Sequence, residues 1–162
     1  MSYDLAIWEG PKPGSQSEAI AEYERRMDAM EAALDDPGGP APATPAIRAF
    51  IDAALTRFPE LDDESGPECP WAASPLDGDA VGAMIYFPMT FSGAEFARDP
   101  LAEIADSLGL VCFDPQIEQL LPDPDATPAS TVSGRAYEAL AARRGTAAST
   151  QRNWLGRLFR KN

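Results

Sequence analysis

Sixteen prolines are the strongest constraint on what this 162-residue chain can fold into. Proline fixes φ and has no N–H to donate, which confines it to first turns, sheet edges and connections. Most of the sixteen fall between periodic stretches and mark where elements must stop. "PKPGS" at 11–15, "DDPGGPAPATP" at 35–45 and "ELDDESGPECP" at 60–70 read as connections, the last of them acidic. From Pro115 onward "LLPDPDATPASTVSG" has linker composition.

The stretches between them carry clear periods. "YDLAIWE" alternates, with Tyr3, Leu5 and Ile7 on one face and Asp4, Ala6 and Trp8 on the other, and predicts a strand. Ser15 with Glu18 has the form of a capping box. Behind it Ile20, Tyr23, Met27, Met30 and Leu34 make one helical apolar stripe. Thr44 and Pro45 are an N-cap and first-turn pair for a second helix bearing Ile47, Phe50, Ile51, Ala54, Leu55 and Phe58, which Pro59 ends.

"WAASPL" predicts a short strand and "DGD" a turn. "AMIYFPMTF" is apolar on both faces, an inner strand with an unpaired position or bulge at Pro88. Ser92 and Glu95 repeat the start signal for a third helix with Phe96, Leu101, Ile104, Ala105 and Leu108. Gly109 stands where its C′ glycine belongs. Pro100 should kink or divide that helix, with Asp99 capping the second piece. "LVCFD" is the last strand, and "RAYEALAARR" and the final residues are short helix candidates.

Strand, helix, helix, strand, strand, helix, strand predicts an α+β fold. Its ferredoxin-like split βαβ variant has sheet order 4-1-3-2, helices on one face and a short helical C-terminal appendage. Length and 44 % apolar content suit one domain with an adequate core. The expected division is an α+β domain over 1–121, a Pro-rich linker over 122–134 and a basic, helix-prone tail over 135–162.

Charge separates these regions. Residues 1–126 hold 6 Lys/Arg and 25 Asp/Glu, a net −19; residues 127–162 hold 7 Lys/Arg and one acid, a net +6. A body this acidic repels nucleic acid and anionic lipid, and points to a basic protein partner. "MSYDLAIWEG" predicts no secretory signal, and the nine-residue run "VGAMIYFPM" is far short of the roughly 20 residues a membrane span needs. Cys69 and Cys112 have no metal or redox spacing and are expected as free thiols in a cytoplasmic protein.

With no histidine, the Ser-His-Asp and Cys-His pairs and most catalytic zinc sites are excluded. No P-loop, G-x-G-x-x-G or G-x-S-x-G is present. "DGDAVG" at Asp77 begins like a calcium loop but has Val81 and Pro88 where ligands are needed. No cofactor or metal is expected, and catalysis is left to carboxylates alone.

"MSYDLAIWEG", "TPAIRAFIDAALTRFPEL", "CPWAASPL", "MIYFPMTFS" and "GLVCFDPQ" resemble a family of small actinobacterial proteins with a "YDL…WEG" opening and a "GLVCYDPQ"-like closing strand. The resemblance covers about residues 1–117 and departs at Pro100. It carries over no catalytic residue; it implies an immunity-type role, since similar small acidic proteins occur beside secreted toxin genes. The same phrases contain the candidate partner-binding residues Trp8, Glu9, Trp71, Asp114 and Gln116, strand-end tryptophans being frequent interface anchors.

Two function classes follow. One is a non-enzymatic acidic binding protein, most concretely an immunity-type inhibitor of a basic toxin. The other is a small-ligand protein or enzyme using carboxylates near Trp8 and Trp71. A third route is recruitment to a membrane by the tail. There Trp154, Leu155, Leu158 and Phe159 share one stripe of a helix flanked by Arg152, Arg157, Arg160 and Lys161. The tail residues Trp154, Leu158 and Phe159 complete the candidate set, with the body's own surface, another protein or an anionic membrane as their target.

Overall fold

A computed structural model describes residues 2–123. The chain is α+β: β1 (Tyr3–Trp8), α1 (Gln16–Asp35), α2 (Pro45–Arg57), a 3₁₀ turn (Leu76–Asp79), β2 (Ala80–Val81), β3 (Met84–Met89), α3 (Phe91–Ser107), β4 (Val111–Asp114) and β5 (Gln119–Leu121). The sheet order is β2-β3-β1-β4-β5, every neighbour antiparallel. β4, β1 and β3 stand side by side as expected, but the edge next to β3 is formed by a segment other than the expected 71–76 strand.

The helices do not share one face, as the split βαβ reading required. Tyr3, Leu5 and Ile7 pack with α2, α3, Ile85, Phe87, Met89 and Cys112. Ala6 and Trp8 pack on the other side with Met84, Tyr86, Val111, Phe113 and α1's Ala19, Ile20, Tyr23, Met27 and Met30. The sheet is therefore the middle of three layers. The reason lies in β1, buried at all six positions: two apolar faces need two covers. Leu34, expected within the α1 stripe, is 37 % exposed and is not part of the cluster that Ile20, Tyr23, Met27 and Met30 join.

Helix ends follow local chemistry. Ser15 Oγ accepts the Glu18 N–H, while the Glu18 carboxylate takes the Gly14 N–H, one residue before the usual capping-box partner. Thr44 caps α2 in the same way. α3 is capped by Thr90, whose Oγ1 accepts from Gly93, and not by Ser92. The earlier start lets Thr90 pair with Pro70 and seats Gly93 against it; a Cβ there would lie 2.5 Å from Pro70 Cα. The C-terminus of α3 is a complete Schellman motif. Gly109, at φ +70°, donates to the Asp106 carbonyl at 3.0 Å and Leu110 to that of Ala105 at 2.9 Å.

α3 runs undivided through Pro100, and Asp99 caps nothing. The carbonyl deprived of its partner belongs to Phe96, which is 39 % exposed, so water can reach that side of the helix. Pro88 lies within β3 opposite Asp4, with the β1 register unbroken. Ala72 donates to the Pro88 carbonyl at 3.1 Å. The reciprocal bond is impossible because proline has no N–H. The expected "WAASPL" strand accordingly shrinks to one bridge, Trp71 with Met89, and Ala80–Val81 supplies the edge strand instead.

β5 lies in what read as linker. Three residues are too few to show a period, and they pair with β4 through the Pro115–Glu118 turn, where Glu118 has φ +55°. Of the expected linker only Pro122 and Asp123 are among the described residues; the tail from 135 lies outside them.

Candidate functional site

The polar side chains the fold gathers lie at the N-terminal end of β1 and the C-terminal end of β4. Tyr3 enters from β1, Asp114 from β4 and Arg98 from α3; they are 0 %, 0 % and 3 % exposed. The Tyr3 hydroxyl donates to Asp114 Oδ2, and Arg98 Nη1 stands 3.7 Å from the same oxygen. Asp114 Oδ1 accepts the backbone N–H groups of Gln116 (3.0 Å) and Ile117 (3.4 Å), which shapes the turn into β5. Arg98 reaches outward with Nε and Nη2 to Asp99 at 2.8 and 2.7 Å.

Burial pushes the Asp114 carboxyl above its usual range, with Tyr3, Arg98 and the turn amides opposing. Burial likewise pushes the Tyr3 phenol up, and the Asp114 charge adds to it. The unit is thus a desolvated carboxylate hydrogen-bonded by a phenol and two amides, with a guanidinium beside it whose Nη1 makes no hydrogen bond. Removing one member strands the rest, which is why such clusters hold register. An open groove at the start of α1 has none of these residues in its lining. Cys112 on the same face is fully buried and its thiol is pushed up, so it supplies no nucleophile. Both cysteines are free.

Gln116 ties the second polar residue of β1 to this unit. Its side-chain carbonyl accepts the Asp4 N–H at 3.2 Å and its amide donates to the Asp4 carboxylate at 3.4 Å, extending the ladder past the end of β4. Asp4 is 6 % exposed and faces Tyr86; burial raises it too. Asp114 and Gln116, singled out in the sequence, are therefore brought together, Asp114 wholly buried and Gln116 half-buried beside it. Arg98, Tyr3 and Asp4 were passed over. Arg98 had a legible signal: with Ala94, Ala97, Leu101 and Ala105 it occupies the apolar stripe of α3.

The two tryptophans lie on opposite faces of the sheet and share no pocket. Trp8 is wholly buried in the α1 core beside Phe113, with the Arg26 guanidinium 5.4 Å from its ring and no partner for its Nε1. Trp71 is 1 % exposed in the other core. Its Nε1 donates to the Phe58 and Pro59 carbonyls at 3.1 and 3.0 Å, closing the end of α2. Glu9, half-buried, gives its carbonyl to Arg26 at 2.7 Å. Trp154, Leu158 and Phe159 lie outside the described residues.

The surface is more informative. The described residues carry 6 Lys/Arg and 24 Asp/Glu, a net −18. Four of the six cations are spent internally: Arg25 and Arg26 on Glu22, Arg98 on Asp99 and Asp114, Lys12 on Asp106. Glu22 is held down to about 2 by these two arginines, its bond to Arg25 foremost. Exposed carboxylates concentrate on the outside of α1 (Glu24, Asp28, Asp35), in the loop Asp62–Glu64 and on α3 (Asp99, Glu103, Asp106). Between the start of α1 and β5 lies the open groove, about 270 Å³, lined by Pro13, Gly14, Ser15, Gln16, Gln119, Leu120 and Asp123. Among the described residues no three His, Cys, Asp or Glu side chains are placed to hold a metal, and no helix is long and apolar enough to cross a membrane. Neither family models, nor curated proteins, nor solved structures match the chain.

Proposed function

We propose that this chain is a non-enzymatic acidic binding protein, most concretely an immunity-type inhibitor of a basic toxin, acting in the cytoplasm. The observation that carries the reading is the surface. A −18 body spends most of its cations on internal pairs and leaves its carboxylates outward. Such a field draws a cationic protein in and orients it before contact. The buried polar unit supports the same side of the argument, since Tyr3, Asp114 and Arg98 are buried and engaged with one another or with Asp99. The resemblance to the small actinobacterial family points to a toxin as the basic partner.

The test is co-expression of the full chain with any basic protein encoded beside it, read by growth and by stopped-flow association. Rescue of growth is expected, with an association rate that falls by about tenfold or more between 50 and 500 mM salt as the field is screened. Binding at a rate indifferent to salt, or no rescue by a chain shown to be folded, overturns the proposal.

A further inference from the structure

The two edges of the sheet are not equally covered. On the β3 side, β2 pairs with Met84 and Ile85, and the Trp71–Met89 bridge closes the far end of the strand. On the other side β5 has β4 as its single neighbour, and among the described residues no strand lies beyond it. An open edge presents a row of N–H and C=O groups, which natural sheets shorten, charge or cover. β5 is short, but Gln119–Leu121 carries no charge.

The groove beside β5 is placed to take a covering strand. Gln119 and Leu120 are successive residues and therefore point to opposite faces of the sheet. Leu120 packs with the α1 core, and Leu121 with the core on the other side. A groove lined by both Gln119 and Leu120 runs along the edge of the strand, where its backbone lies, and not over one face. Pro13–Gln16 forms the opposite wall, tied to this end of the sheet by the Gln16 Nε2 bond to the Glu118 carbonyl at 3.0 Å. Asp123 is the one ionisable group in the lining. Such a groove suits a neutral, extended segment.

The chain supplies one directly. The described residues end at Asp123, itself in the lining. "ATPASTVSG", residues 126–134, has no charged side chain. Thr131 and Val132 are β-branched, which favours a strand. Pro128 stands just ahead of them, where a missing N–H costs no ladder bond. Alternation places Ser130 and Val132 on one face, and Val132 is the one branched aliphatic residue between Pro122 and Gly134. The seven residues 122–128 can span about 25 Å at most, whereas a neighbouring strand lies only about 4.8 Å away. Reach is ample, and a chain that turns back runs antiparallel to β5.

We propose that Ala129–Ser133 folds back in cis along the outer edge of β5 as a sixth, antiparallel strand, with Val132 beside Leu120 and Pro13 in the groove. The α+β domain then ends near Ser133 instead of Leu121, and the basic residues from 135 onward depart from the β5 edge of the sheet. Neither this strand nor the acidic binding function requires the other.

Nuclear Overhauser spectra of the uniformly ¹³C,¹⁵N-labelled full-length chain test it. Cross-strand contacts between 119–121 and 129–133 are expected, and amides within 129–133 should exchange about tenfold or more slower than unprotected ones. Along an edge strand the N–H groups turn alternately to the neighbour and to solvent. One of Thr131→Pro and Val132→Pro should therefore abolish the contacts and the other leave most of them, in chains whose β1–β4 contacts show the fold intact. Isotope-filtered spectra of mixed labelled and unlabelled chains separate contacts within one molecule from contacts between two. Absence of contacts between β5 and 129–133 in the parent chain overturns the proposal. So do pairing of β5 with another segment, contacts between molecules, or equal effects of the two prolines in folded variants.

Discussion

On the α2–α3 side of the sheet twenty-one buried residues form one contiguous cluster; on the α1 side there are eight. The larger side is closed by aliphatic and aromatic packing, with Phe50 over Phe87 and Phe58 edge-on to Trp71. The smaller side relies on amphipathic groups: Tyr23 between Tyr86 and Phe113, Arg26 over Trp8, and only Ala19 and Met30 of α1 fully covered. One face of the sheet is a core in the ordinary sense. The other is a thinner seam whose outer helix faces water with exposed carboxylates, and this difference places most of the packing energy on one side.

Substitutions should expose that asymmetry. Phe50→Ala removes a wholly buried ring from the larger core and should cost about 3–5 kcal/mol by urea unfolding. Arg98→Met, on the same side, should cost about 3 kcal/mol because it leaves the Asp114 charge buried without its cation. Adding Asp114→Asn should recover part of that loss. If the double variant is no better than the single, the pair is not coupled and the cluster is not a unit.

Met30→Ala, in the seam, should cost about 2 kcal/mol, near the low end for such truncations, since the thin side can relax. A loss equal to that of Phe50→Ala would erase the distinction between the faces. The smallest effect has the opposite sign. Burial, then the Glu60 charge, raises Asp79 from an ordinary 3.8 to about 6. The folded chain therefore binds this proton more tightly than the unfolded chain. That contribution is fully present below about pH 4 and lost as pH rises through about 6. Asp79→Asn should accordingly stabilise the protein by about 1–2 kcal/mol at pH 7, a figure discounted for partial solvent contact, and flatten the melting profile between pH 4 and 6. A variant less stable than the parent at pH 7 would show that the carboxylate has a partner it needs.

Much of the fold was legible in local pattern. The caps at Ser15 and Thr44, the stripes of α1 and α2, the alternation of β1 and the glycine at 109 depend on groups within a turn or two of each other, so residue spacing suffices to read them. The Pro88 position was legible for the same reason. Its consequence, the loss of a strand at 71–76, was not, because it depends on which segment lies beside β3.

The choice of face for α1 is the clearest case of what spacing leaves open. Its stripe says that one side must be covered, and nothing in it says by which surface of the sheet. That was settled by the second apolar face of β1, formed by Ala6 and Trp8 with Tyr86 and Phe113 from distant strands. The candidate residues divide in the same way. Trp8, Trp71, Asp114 and Gln116 were recognisable as unusual side chains at strand ends, but whether they face a partner or the interior rests on contacts such as Tyr3 with Asp114 and Asp4 with Gln116, more than a hundred residues apart. Helix starts and stops are decided by hydrogen bonds between near neighbours. Burial of a charge or an indole is decided by chain closure, when remote elements remove the water from around it.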